Sequence, residues 1–162
     1  MICTQFIYEN TNAQSEVSHT DRYIPGFVSS GDAALERNDE KLKITRGSAF
    51  FINRDSRFKI TGDVGLSYFY ISFYGRRADE LIQHLGLSND YCVFDLSKRY
   101  DKLNSFAFNC LNRANKENTD IISECVLLYL ISYLTTQNNK SSNLLSSMIT
   151  LTKKTLPTLV FR

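Results

Sequence analysis

Leu66-Ser-Tyr68-Phe69-Tyr70-Ile71-Ser72-Phe73-Tyr-Gly75 is the stretch on which the fold turns. Its residues alternate. Phe69, Ile71 and Phe73 fall on one face of an extended chain and Tyr68, Tyr70 and Ser72 on the other, and the aromatic and β-branched content suits a strand. Three large apolar side chains are costly to expose, so that face belongs under the elements that follow. The tyrosines are then left to the interior of the β structure, where each hydroxyl requires a hydrogen-bond partner.

Toward the N-terminus the same period of two recurs. Phe58 and Ile60 alternate, Ala49-Phe50-Phe51-Ile52 follows the turn Arg46-Gly47-Ser48, and Leu42 and Ile44 alternate behind the polar turn Asn38-Asp39-Glu40. Residues 26 to 37 alternate around Phe27, Ala33 and Leu35. Short strands at near-even spacing predict a hairpin meander closed into a barrel or sandwich.

Toward the C-terminus the period changes to that of helices. Ala78, Leu81, Ile82 and Leu85 form a helical stripe over 77–86, with Gly86 suited to the left-handed cap. A last strand-like piece spans Tyr91 to Leu96. Beyond Ser97, Tyr100, Leu103, Phe106, Ala107, Cys110 and Ala114 define one face of a helix from about Lys98 to Asn115. A second helix starts from Asn118 or Thr119 as N-cap and runs to Leu134. Only Ser123, Glu124 and Ser132 interrupt its apolar circumference, which predicts burial on two sides: its own barrel on one, a second subunit on the other. Val126, Tyr129, Leu130 and Tyr133 are the expected dimer-interface residues. Ser142 to Thr155 carries Leu144, Leu145, Met148 and Ile149 in helical spacing and breaks before Pro157. The expected organisation is a barrel over 1–97, an antiparallel helix pair over 98–137, and a linker with the start of a further domain over 138–162.

Composition agrees with a folded domain. The 162 residues are 43% hydrophobic and 22% charged, with only 7 Gly and 2 Pro, which excludes disordered, collagen-like and linker-rich classes. The net charge of +2 is too small to imply a polyanionic partner, although residues 98–162 carry a surplus of five positive charges and residues 1–97 a deficit of three. Cys3, Cys92, Cys110 and Cys125 show no Cys-x-x-Cys spacing and read as small buried apolar residues. The longest apolar run, Cys125 to Ile131, is far short of the ~20 residues of a membrane span, and the N-terminus lacks a basic n-region. The expected location is cytoplasmic, with no membrane partner.

Catalytic chemistry finds little support. A metal-dependent barrel enzyme needs two or three converging histidines and a carboxylate. This chain has two histidines, His19 and His84, in separate segments, both read as exposed polar residues. No nucleophile triad, phosphate loop or dinucleotide fingerprint occurs. The reading therefore assigns no catalytic residue, metal or cofactor.

The local words and their order resemble the N-terminal half of AraC-family transcriptional regulators. They are Phe27-Val-Ser-Ser-Gly31-Asp-Ala, Lys43-Ile-Thr-Arg-Gly47-Ser-Ala-Phe-Phe-Ile52, and Tyr68-Phe-Tyr-Ile-Ser-Phe-Tyr-Gly75 with Leu85-Gly86-Leu87 behind it. The resemblance covers roughly residues 20 to 150 and implies a cupin-like, jelly-roll barrel followed by dimerising helices. It departs after Ile52, where Asn53-Arg54-Asp55-Ser56 stands in place of the family's usual proline and histidine. The function it implies is sensing of a small-molecule effector, sugar-like in the family's prototype, by a homodimer that contacts DNA only through a C-terminal domain missing here. Asn143 to Lys154 looks like the opening helix of that domain. The alternative is a stand-alone, non-catalytic small-molecule-binding cupin. By resemblance Tyr68 and Tyr70 occupy ligand-contacting positions, with Tyr23 and Phe27 lining the neighbouring strand and Arg22 a candidate anchor.

Overall fold

The computed structural model describes residues 1–10, 18–37, 39–87 and 93–134. The segment 138–162, with the helical spacing at Ser142 to Thr155, lies outside them, as does the start of the strand-like piece at Tyr91. Eight strands come first: β1 (Ile2–Asn10), β2 (Ser18–Thr20), β3 (Ile24–Ser30), β4 (Asp32–Arg37), β5 (Glu40–Thr45), β6 (Ser48–Ile52), β7 (Ser56–Gly62) and β8 (Ser67–Tyr74). Helix α1 (Arg76–Leu85), strand β9 (Val93–Asp95) and helix α2 (Tyr100–Arg113) follow, and helix α3 covers 119–134.

The pairing is nested. β4 pairs with β5, β3 with β6, β2 with β7 and β1 with β8, all antiparallel, as though one long hairpin had been folded and then rolled. Rolling adds the β3–β8 and β4–β7 pairs and produces two sheets, β1-β8-β3-β6-β9 and β2-β7-β4-β5. This is a jelly roll, the mainly β barrel with C-terminal helices that the sequence predicts. The alternation read through residues 26–37 is broken at Gly31, where a φ of 78° turns the chain from the first sheet into the second.

Two cores result, one on each side of the five-stranded sheet. Between the sheets lie Val28, Leu35, Ile44, Phe50, Ile52, Ile60 and Leu66. On the outer side Phe27, Phe51, Phe69, Ile71 and Phe73 pack beneath the helices, which contribute Ala78 and Ile82 of α1, Leu103 and Ala107 of α2, and Leu127, Ile131 and Leu134 of α3. The burial of Phe69, Ile71 and Phe73 under the helices follows the alternation in β8. Helix α1 closes with Gly86 in the left-handed conformation. Helix α3 opens after an asparagine turn in which Asn115 Oδ1 accepts from the amides of Glu117 and Asn118.

Two expectations are corrected here. Val126 and Leu130, assigned to a subunit interface, are 6% and 4% exposed within the chain itself. With Ser123, Leu127, Ile131 and Leu134 they form the inward stripe of α3, so they are unavailable to a partner. Tyr129 and Tyr133 are half-buried, Tyr129 against Phe106 at 4.4 Å between ring centroids. The outward stripe is Ile121, Cys125 and Leu128. The cysteines also differ from the expectation of burial: Cys3 and Cys110 are half-buried and Cys125 is exposed, because α3 turns that position to its outer face. Cys92 lies outside the described residues.

Gly26 of β3 stands opposite both Phe50 and Tyr70. A Cβ built on it would meet the Phe50 ring at 2.1 Å, so the missing side chain is what lets that ring lie against β3. Gly26→Ala is expected to destabilise the fold by roughly 1–3 kcal/mol, the usual cost of overpacking, as read from urea unfolding. Unchanged stability would show that Phe50 has another place to go.

Candidate functional site

The inner side of the barrel holds a cavity of about 310 Å³. Register decides what lines it. Across β1 and β8, Glu9 stands opposite Tyr68 and Ile7 opposite Tyr70, whereas Tyr8 stands opposite Phe69 and Phe6 opposite Ile71. The second set faces the helices, with Tyr8 and Phe69 rings 4.7 Å apart. The first set faces inward, so Gln5 and Glu9 of β1 join Tyr68 and Tyr70 of β8 on the cavity wall. Ile24 of β3 and Phe50 of β6 contribute from the same sheet. The opposing sheet supplies Phe58 and Ile60 of β7, and Ser18, His19 and Thr20 of β2 form the remaining edge.

The wall is aromatic. Tyr68 meets Phe50 edge-on at 6.0 Å between centroids, and the Tyr68 and Tyr70 rings lie 6.1 Å apart at 34°. Burial holds the Tyr68 phenol up at about 12, helped by the negative charge of Glu9 and by Tyr70. Tyr70 is raised as well, by burial first, then by the Glu9 charge and by a hydrogen bond to that carboxylate. Both phenols therefore keep their protons and serve as neutral hydrogen-bonding groups at neutral pH. Gln5 is held in place by Ser72, whose Oγ donates to Gln5 Oε1 at 2.9 Å.

The four residues singled out in the sequence do not come together. Tyr68 and Tyr70 share the cavity wall. Phe27 pairs with Phe69 and therefore points to the helix side, where it packs near Tyr100 at 5.8 Å. Tyr23 points the same way. Its hydroxyl donates to Asp79 Oδ1 of α1 at 2.7 Å, and Arg54 Nη1 donates to the same oxygen at 3.1 Å. Burial and that carboxylate push the Tyr23 phenol up to about 12. Tyr23 and Phe27 thus belong to the helix-side core, in correction of the expected lining. Arg22 lies away from the cavity, donating from Nη1 to Thr4 Oγ1 at 2.6 Å. His19 and His84 are both exposed, and His19 sits on the cavity edge. Among the described residues no three His, Cys, Asp or Glu side chains are grouped so as to hold a metal ion.

Sequence reasoning missed Gln5, Glu9, Phe50 and Phe58 as site residues. The signal for the first two was available: Phe6 and Tyr8 alternate with Gln5, Ile7 and Glu9, which is a strand with one aromatic face.

The sequence matches no family model and no curated protein. Solved structures do resemble it. Apo ToxT from Vibrio cholerae, an AraC-family regulator, superposes with a TM-score of 0.57 at 14% identity, over 86% of this chain and 58% of that one. This chain thus spans little more than half of that protein's length. A predicted oxalate decarboxylase from Thermotoga maritima gives a TM-score of 0.40 at 13% identity, covering 45% of this chain and 68% of that one. The cupin domain of Schizosaccharomyces pombe Cnp3 gives 0.39 at 11% identity, covering 47% and 55%. At these identities the likeness is one of fold alone, and the superposition on ToxT spans most of a β barrel carrying C-terminal helices. Among the described residues no helix is long and apolar enough to cross a membrane.

The raised phenols make a prediction about alkaline stability. A tyrosine whose folded pKa lies above its unfolded value stabilises the native state fully below about pH 10, and that contribution disappears as pH rises toward the folded value. Stability is therefore expected to fall between about pH 10 and about 12. Glu9→Gln, which removes the carboxylate charge but leaves burial, should move the late tyrosine ionisation, followed by ultraviolet absorbance, to lower pH. An unshifted titration would separate Glu9 from the phenols.

Proposed function

We propose that the chain is the effector-sensing and dimerisation part of an AraC-type transcriptional regulator, with 1–97 the sensing barrel, 98–137 the dimerising helices and 138–162 the lead into a DNA-contacting domain. The observation that carries this reading is the aromatic cavity inside the barrel, separated from the helices by a single sheet. It lies at the lower end of the roughly 300–1,000 Å³ of small-molecule sites, with an aromatic and aliphatic wall on one part and the polar Gln5, Glu9, Ser18, His19 and Thr20 on the other. The likeness to ToxT over 86% of the chain supports a regulatory role for this fold.

β8 connects the two functions. Tyr68 and Tyr70 face the cavity, and Phe69 between them packs edge-on against Phe108 of α2 at 4.8 Å. A ligand that shifts the tyrosines acts on the strand whose other face seats the helices. The decisive experiment is a thermal-shift screen of metabolites on the wild-type chain and on Tyr70→Ala. Compounds that raise the melting temperature of the wild type are expected to lose that effect in the variant, because stabilisation by a ligand requires binding to the native state. A silent screen on the wild type would refute the sensing role.

The dimerising surface is the outward stripe of α3. Ile121 is 67% and Leu128 43% exposed, with Cys125 between them and the half-buried Tyr129 and Tyr133 on the flank. Leu128→Glu is expected to give a folded monomer by sedimentation. Val126→Glu should instead unfold the chain, since that side chain lies in the helix-side core. A monomeric wild type would rule the interface out.

A further inference from the structure

We propose that the lumen cavity takes a small organic cation, an ammonium group on an apolar body, held between the Glu9 carboxylate and the surrounding aromatic rings. This rests on the reading of the lumen as a ligand site and names the chemistry of what enters it.

Charge is the first argument. Among the described residues Glu9 is the only carboxylate on the cavity wall, no Lys or Arg lines it, and His19 stands at its exposed edge. Other carboxylates do have basic partners: Glu36 pairs with Lys41 and Asp32 with Lys43 on the barrel, and Asp79 of α1 pairs with Arg54. Among the described residues no such ion pair reaches Glu9, which is hydrogen-bonded with the neutral Tyr70 hydroxyl. A half-buried carboxylate beside a phenol, with no Lys or Arg paired to it among the described residues, attracts a cation more strongly than it would in water, and repels an anion.

The rings supply the second argument. Phe50, Phe58, Tyr68 and Tyr70 surround the space with aromatic surface whose faces carry negative potential. A cation within about 6 Å of a ring centroid is stabilised by that potential, while its apolar body buries against Ile24 and Ile60. A neutral polyol would also find hydroxyl partners here but would leave the carboxylate charge unanswered, and a carboxylate or phosphate ligand would meet it directly.

Calorimetric titration of the full chain with four probes tests this. Phenethylamine, 2-phenylethanol and 3-phenylpropionate share a ring and a two-carbon arm and differ in charge, and methyl glucoside stands for neutral polyols. Phenethylamine is expected to bind at least about tenfold more tightly than 2-phenylethanol, with 3-phenylpropionate weakest. In Glu9→Gln that preference should shrink to within about threefold while the alcohol's affinity is kept. The wild-type ranking alone is decisive should the variant fail to fold. Equal binding of amine and alcohol, a preference for the acid or the glucoside, or a preference unchanged in a folded Glu9→Gln overturns the cation assignment. When such binding is lost in Tyr70→Ala, the lumen remains a ligand site of other chemistry. Silence of all four probes also overturns the cation assignment, whereas the lumen reading itself falls only if the metabolite screen is silent too.

Discussion

The position of β8 between β1 and β3 governs the rest of the structure. Both of its neighbours are antiparallel and both are in register with its alternation, so Phe69 faces the same side as Tyr8 and Phe27, and Tyr68 the same side as Glu9 and Val28. A slip of one residue in either pairing would place phenols under the helices and phenylalanines in the lumen. Burying a Phe contributes about 1.5–3 kcal/mol and an unpartnered hydroxyl in an apolar core costs a similar amount, so such a slip is penalised at every position of the strand. Register is therefore fixed by chemistry on both faces rather than by turn geometry alone.

From that constraint follow the two cores and their different characters. The helix-side core is dense with aromatic contacts, among them Phe69 with Phe108 at 4.8 Å and Tyr23 with Phe73 at 5.4 Å. The lumen is filled at the Gly26 position, where the Phe50 ring occupies the space of a side chain. The first region holds the helices on the barrel, and the second leaves a cavity of about 310 Å³. One sheet separates the two, so that on the proposed reading a change in the lumen would have a single strand, β8, to cross before it met the helices.

Much of this was legible in the sequence. β8 announces itself by an alternation of eight residues that no helix can satisfy, and α1 by a stripe capped with Gly86. The inward placement of Tyr68 and Tyr70 follows from the cost of exposing Phe69, Ile71 and Phe73. What the sequence withheld is register between strands. Nothing in the order of residues says that Phe27 stands opposite Phe69 rather than Tyr70, so Phe27 and Tyr23 read as pocket residues when they belong to the other core. The nearly continuous apolar surface of α3 posed a related difficulty. A helix with apolar residues all round does not reveal which face meets its own barrel, and only the packed structure separates Val126 and Leu130 from Ile121 and Leu128.

The site residue hardest to foresee is also the most informative. Glu9 lies in a strand that pairs with the far end of the nested fold, 59 positions away at Tyr68 in the register. Its importance comes from company that local sequence cannot show: two phenols, two phenylalanines and, among the described residues, no Lys or Arg on the same wall. A carboxylate on an exposed strand would be ordinary surface charge with negligible energetic weight. Set half-buried beside these rings, the same group raises the ionisation of both phenols. Under the proposed reading, ligand selectivity at such a site would be decided less by shape than by the sign of the charge that the guest brings to Glu9.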